Sequence, residues 1–287
     1  MVTKREFWTV LGISAALLAV FALFDLPISI ALYDPESLFG KLFEVIGELP
    51  AALAVTFSGA VFLLLHDGQG TGRRIFGIIG GGIAWLFGCL MCGVMPLSYV
   101  ENPSTAVRVV LVVAAAALSI LLVLRLPKEA QPAARRVALV GVLLFFTVII
   151  GFNAIKMLWG RMRFRAMTAP YEGFSLWLLP QGPTTDNEFM SFPSGHTAQS
   201  MLMLMITLLP CVFHKLTPRL SLLKGVAYAW AVLVAASRVV MGAHFASDVT
   251  VGFLVTFLLF NLWCGAALKK DRAAPLPQPP QKIGAEG

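Results

Sequence analysis

Three short segments carry side chains whose types and spacing could do chemistry. The first is Lys156-Met-Leu-Trp-Gly-Arg161-Met-Arg163-Phe164-Arg165. The second is Pro193-Ser194-Gly195-His196. The third is Ser237-Arg238, followed by His244 and then Asp248. Lys156, Arg163 and Arg238 supply positive charge and many N–H donors, and the guanidinium fork matches phosphate oxygens. Pro193-Ser194-Gly195 directly precedes an apolar run that reads as a helix. Free backbone N–H groups at a helix start attract anions, and a glycine there permits close approach. These parts make a cradle for a phosphate-sized anion. His244 and Asp248 are four residues apart and share a face if helical. A carboxylate on one imidazole nitrogen leaves the other free to attack, which is the nucleophile-and-orienter logic of a catalytic triad. His196 remains to protonate a leaving alkoxide, a task suited to imidazole near neutral pH.

The elements that must position these groups cross a membrane. The chain has 287 residues, 58% hydrophobic and 13% charged, with a mean hydropathy of +0.81. Soluble domains are about 25% charged. Spans of roughly 20 residues are expected at 8–31, 50–65, 74–98, 105–125, 137–158, 195–213, 222–241 and 246–268. The expected fold is therefore an all-α integral membrane bundle. Net charge is +7, and topology accounts for it without a nucleic-acid partner. With the N-terminus inside, the inner segments hold Lys4 and Arg5, Arg73 and Arg74, and Arg125, Lys128, Arg135 and Arg136. They also hold Lys215, Arg219 and Lys224, then Lys269, Lys270, Arg272 and Lys282. This is the basic excess expected of cytoplasmic loops, and it puts all three motifs at the opposite, outer face. Ionisable residues at membrane depth are functional candidates.

Taken together, the motifs resemble the tripartite signature of the type-2 phosphatidic acid phosphatase superfamily: Lys-x6-Arg-Pro, Pro-Ser-Gly-His and Ser-Arg-x5-His-x3-Asp. The second and third blocks match fully. In the first, Lys156 and Arg163 match while Phe164 stands where the family usually has proline. That departure is expected to alter the loop backbone and spare the cations. The resemblance implies a six-helix phosphatase core at 71–268. Residues 1–70 add two spans with an amphipathic interfacial segment, and 269–287 form a polar, proline-rich, disordered tail. It implies phosphate binding by Lys156, Arg163, Ser194, Gly195 and Arg238. It makes His244 the nucleophile, Asp248 its orienting partner, and His196 the acid and later the base, with no metal or cofactor. The implied reaction is hydrolysis of a membrane lipid phosphate or diphosphate through a phosphohistidine; the topology puts it at the extracytoplasmic face, and the compact loops point to a bacterial inner membrane.

Phosphatidic acid, undecaprenyl diphosphate, phosphatidylglycerophosphate and a saccharolipid phosphate all fit as substrates. Arg161 and Arg165 tilt the choice to an isoprenyl diphosphate, as readers of a second phosphate. Passing the phosphate to a lipid or sugar hydroxyl, as a phosphotransferase, is the second reading. A transporter is a third, disfavoured because the charges gather at one face. The loop 166–192 is rich in aromatics, including Phe174 and Trp177, and is expected to cover the site. The Cys89-x-x-Cys92 pair has no second pair or nearby His and reads as apolar core. The glycines of the third span, among them Gly77, Gly80, Gly81, Gly82 and Gly88, read as helix-packing positions.

Overall fold

The computed structural model describes residues 2–66 and 70–268. The tail 269–287, with its four basic residues, lies outside them. Ten α-helices follow in order: α1 Lys4–Leu32, α2 Leu38–Ile46, α3 Leu49–Leu64, α4 Thr71–Val94 and α5 Thr105–Leu124. The second half holds α6 Gln131–Trp159, α7 Gly195–Ser200, α8 Leu209–Val212, α9 Leu220–Val240 and α10 Ala246–Leu268. Eight helical segments are long and apolar enough to cross a membrane. Among the described residues there is no strand. The molecule is an all-α membrane bundle.

Local signals set the helix ends. Thr3 and Glu6 form a reciprocal capping box at the start of α1, satisfying two free donors at once. Ser194 caps α7 by accepting from the Thr197 N–H at 3.3 Å. At the start of α10, Asp248 accepts from the Phe245 N–H at 2.9 Å. Gly160 ends α6 with φ +67, a left-handed conformation that glycine takes without a Cβ penalty. That turn sends the chain directly into the Arg161–Arg165 stretch.

The expected span 195–213 is not one regular helix. Between α7 and α8, Met201–Leu208 is a 3₁₀ segment. Pro210 cannot donate to the carbonyl one turn before it. Ser200 and Thr207 hydroxyls bond back to the carbonyls three residues earlier, Thr197 and Leu204, a local competition that disturbs the regular ladder.

The bundle packs around α6, α7 and the 3₁₀ segment, with Leu144, Phe145, Val148, Met201, Leu202 and Phe257 buried. Ala51 and Val55 of α3 belong to the same core, so the N-terminal part of the chain is integrated with it. Helices α3 and α4 meet backbone to backbone. A Cβ on Gly81 would lie 2.7 Å from the Leu63 nitrogen, and one on Gly88 2.7 Å from the Thr56 nitrogen. Gly80 has nothing within 4 Å, so the packing role falls on only part of the glycine set. Cys89 and Cys92 are buried free thiols, as their setting implied. The amphipathic segment forms α2. Leu38 and Leu42 face outward, while Gly40 seats against Met241 and Phe43 against Trp230, ring centroids 5.6 Å apart. Glu44 points into the molecule, while Lys41 stays exposed.

Candidate active site

The C-terminal ends of α6 and α9 and the N-terminal ends of α7 and α10 lie at one end of the bundle. Between them is a cavity of about 430 Å³. Lys156, Arg163, Gly195, His196, Arg238 and His244 all line it, over an apolar wall of Val148, Ile149 and Phe152. Seven of the ten residues singled out as site candidates therefore meet on one space, Arg165 being the seventh.

Lys156 comes from the last turn of α6 and donates to the Met190 carbonyl at 3.2 Å. Its chain passes over Gly195, where a Cβ would sit 3.6 Å from Nζ. Arg163 donates to Asn187 at 2.9 Å, and its buried Nε has no protein partner. Arg238, in the last turn of α9, is 2% exposed. One of its nitrogens pairs with Glu44 at 2.8 Å, while Nε and Nη1 have none. The Nε2 atom of His196 is likewise buried and unpartnered. Buried polar groups are normally satisfied. A cavity edged by unsatisfied donors is built for an acceptor-rich ligand.

His244 is not on the helix. It precedes α10, and its Nδ1 lies 2.5 Å from the Ser191 carbonyl oxygen. A carbonyl only accepts, so Nδ1 carries the proton and Nε2 keeps the lone pair. Burial first, then the cations Lys156, Arg163 and Arg238, hold this imidazole well below its ordinary titration range. It is therefore neutral near pH 7. The expectation that Asp248 holds the ring from a shared helix face needs correcting. Asp248 Oδ2 is 3.9 Å from Nδ1, beyond hydrogen-bond reach. Asp248 accepts instead from Ser191 Oγ at 2.5 Å and so fixes the residue whose carbonyl holds His244.

Arg161 also departs from expectation. It is completely buried and does not line the cavity. Its guanidinium donates to Asp248 at 2.5 Å, Asp25 at 3.0 Å, Ser247 Oγ at 2.9 Å and the Ser175 carbonyl at 3.1 Å. It also stacks 4.1 Å above the Phe245 ring. Asp25 in turn accepts from the Ser247 N–H at 2.9 Å and from its hydroxyl. These contacts turn every arm of Arg161 inward, so it is not placed to read a second phosphate. Arg165 is partly exposed and grips Glu188 at 2.7 and 3.1 Å. That bond holds the Glu188 carboxyl below its ordinary range. Ser194 spends its hydroxyl on the α7 cap, is fully buried and does not line the cavity.

Phe164 is buried and forms an aromatic cluster with Tyr33, Tyr171 and Phe245, at centroid distances of 5.3, 5.5 and 6.3 Å. Arg163 before it has φ −76 and ψ 146. That is the region a following proline would impose, so the expected change of loop backbone is not seen there. Phe174 packs on Phe245 and Trp177 stacks on Phe192. The first contact anchors the 166–192 loop beside the site, and the second lies within the loop.

Sequence reasoning missed three carboxylates. Asp25 of α1, Glu44 of α2 and Glu48 at the start of α3 reach Arg161, Arg238 and the pair Gln199 and His196 respectively. A charge inside an apolar span is itself a functional signal, and Asp25 carried it. Glu44 and Glu48 were hidden on the polar face of an amphipathic segment.

Residues 137–271 match the family model described as PAP2 superfamily. No curated protein and no solved structure matches the chain.

Proposed function

We propose that this chain, which belongs to the type-2 phosphatidic acid phosphatase superfamily through residues 137–271, hydrolyses a membrane lipid phosphate by way of a phosphohistidine. Phosphatase or related phosphotransfer chemistry goes with the family. The lipid substrate, the intermediate and the outer-face location are our reading. The observation that carries it is the set of buried, unpartnered nitrogens on Arg163, Arg238 and His196 facing the same cavity as a neutral His244.

In this mechanism Lys156, Arg163, Arg238 and the backbone of Gly195 hold the non-bridging phosphate oxygens. Nε2 of His244 attacks phosphorus as the bond to the lipid oxygen breaks. His196 Nε2–H gives its proton to that leaving oxygen. Water then attacks the phosphohistidine, His196 takes the water's proton, and the N–P bond breaks to release phosphate and restore His244. Positive charge arranged in advance around the phosphoryl group supplies most of the stabilisation such transfers need. Ser191 and Asp248 keep the His244 ring in the attacking tautomer. Placement at the end of eight apolar helices, over an apolar wall, favours a lipid ester over a soluble one. Nothing in the position of Arg161 now favours a diphosphate over a monoester. The basic inner loops favour an extracytoplasmic cavity.

The test is phosphate release from a panel of lipid monophosphates and diphosphates by detergent-purified protein in EDTA. Wild type is expected to release phosphate, and His244→Ala to lose at least about a thousandfold. Undiminished release by His244→Ala would refute the mechanism. Phosphate found on an acceptor hydroxyl instead of free in solution would identify a phosphotransferase.

A further inference from the structure

Glu48 is a carboxylate where a phosphate site would be expected to exclude one. It stands at the start of α3, outside the family segment, and is 6% exposed. It makes no cap bond for its own helix. Its Oε1 accepts from Gln199 Nε2 and lies 3.5 Å from His196 Nδ1. The Glu44 backbone carbonyl faces the same imidazole, and the Tyr99 ring packs edge-on against it at 5.3 Å. The opposite nitrogen, Nε2, is the unpartnered one. The Glu48 carboxylate therefore lies on the Nδ1 side of His196, and the free nitrogen is left for the cavity.

We propose that Glu48 is the positioning residue of the proton-transfer histidine, holding His196 with Nδ1–H toward the carboxylate and Nε2 toward the substrate oxygen. The proposal rests on the phosphatase reading and deepens it. Each transfer changes the charge on His196. Before donating to the leaving oxygen it is an imidazolium, and it becomes one again when it takes the proton from water. Lys156, Arg163 and Arg238 around the cavity oppose that charge. A buried carboxylate beside Nδ1 offsets them, as outer partners do for other working imidazoles. The N-terminal helices thus supply a part of the acid–base machinery that the family segment lacks.

Leaving-group dependence separates this role from a structural one. An alkyl lipid phosphate needs its departing oxygen protonated, whereas 4-nitrophenyl phosphate does not. Glu48→Gln keeps the size and the acceptor oxygen for Gln199 but removes the charge. Its kcat/KM is expected to fall about 100-fold on the alkyl lipid phosphate and less than about threefold on the nitrophenyl ester. Glu48→Asp should recover part of the alkyl activity. An equal loss on both substrates, or none on either, overturns the proposal. If wild type turns over neither substrate, the hydrolase reading fails. The histidine tautomer then decides separately by ¹⁵N NMR of the wild-type protein. A proton on His196 Nδ1, with or without one on Nε2, supports the positioning, and a proton on Nε2 alone overturns it.

Discussion

Replacing Arg161 by leucine tests whether this arginine is an internal strut or a substrate contact. The side chain is completely buried and bridges Asp25 at 3.0 Å and Asp248 at 2.5 Å, with Ser247 and the Ser175 carbonyl on its other donors. Arg161→Leu leaves both carboxylates buried without their shared cation. Removing one member of a buried ion pair costs about 3–5 kcal/mol. At about 2–4 °C per kcal/mol for a chain of this size, the midpoint of thermal unfolding in detergent should fall by roughly 6–20 °C. Arg161→Lys should lie between, because an ammonium keeps the charge but cannot span both carboxylates. Turnover of lipid monophosphates and diphosphates should drop by a common factor, since the loss acts through Asp248, Ser191 and the His244 ring. A midpoint within about 2 °C of wild type, with loss confined to diphosphates, would refute this reasoning. It would return Arg161 to the substrate.

Two further outcomes are expected. His244 has a folded-state pKa below its unfolded one, so its contribution to stability is complete above the ordinary imidazole range and is lost as pH falls. The attacking neutral form should persist through pH 6.5, and His244→Ala should flatten the acid side of the melting-temperature profile. A wild-type acid limb of kcat/KM centred near pH 6.5 would contradict that assignment. In the α3–α4 contact, Gly81→Ala forces a methyl against the backbone of Phe62 and Leu63 and should cost about 1–3 kcal/mol. Gly80→Ala, with open space around it, should leave thermal stability unchanged or raised by up to about 1 kcal/mol. Equal effects at the two positions would count against the close packing.

Much of this protein is legible in one dimension because its causes are local. An apolar run long enough to cross the hydrocarbon layer must satisfy its backbone internally and so becomes a helix. Basic clusters orient the runs. Lys156, Arg163, Gly195, His196, Arg238 and His244 announce themselves by costly chemistry at helix ends. The same logic puts Gly160 at a helix stop and Ser194 at a helix start.

Other features depend on distances between segments far apart in the chain. Arg161 and Arg163 are two residues apart and alike in type, yet one is enclosed between Asp25 and Asp248 and the other faces the cavity. The four-residue spacing of His244 and Asp248 indicated a direct pair. The chain does not become helical until Ala246, so Ser191 comes between them. Glu44 and Glu48 looked like the wet side of an interfacial helix until α2 and α3 were laid against α7 and α9. Residue type and period determine which segments are helices and which groups are reactive. A buried charge, however, takes whatever opposite charge the packing brings within about 3 Å. Only the tertiary structure could decide that the first three helices supply those partners.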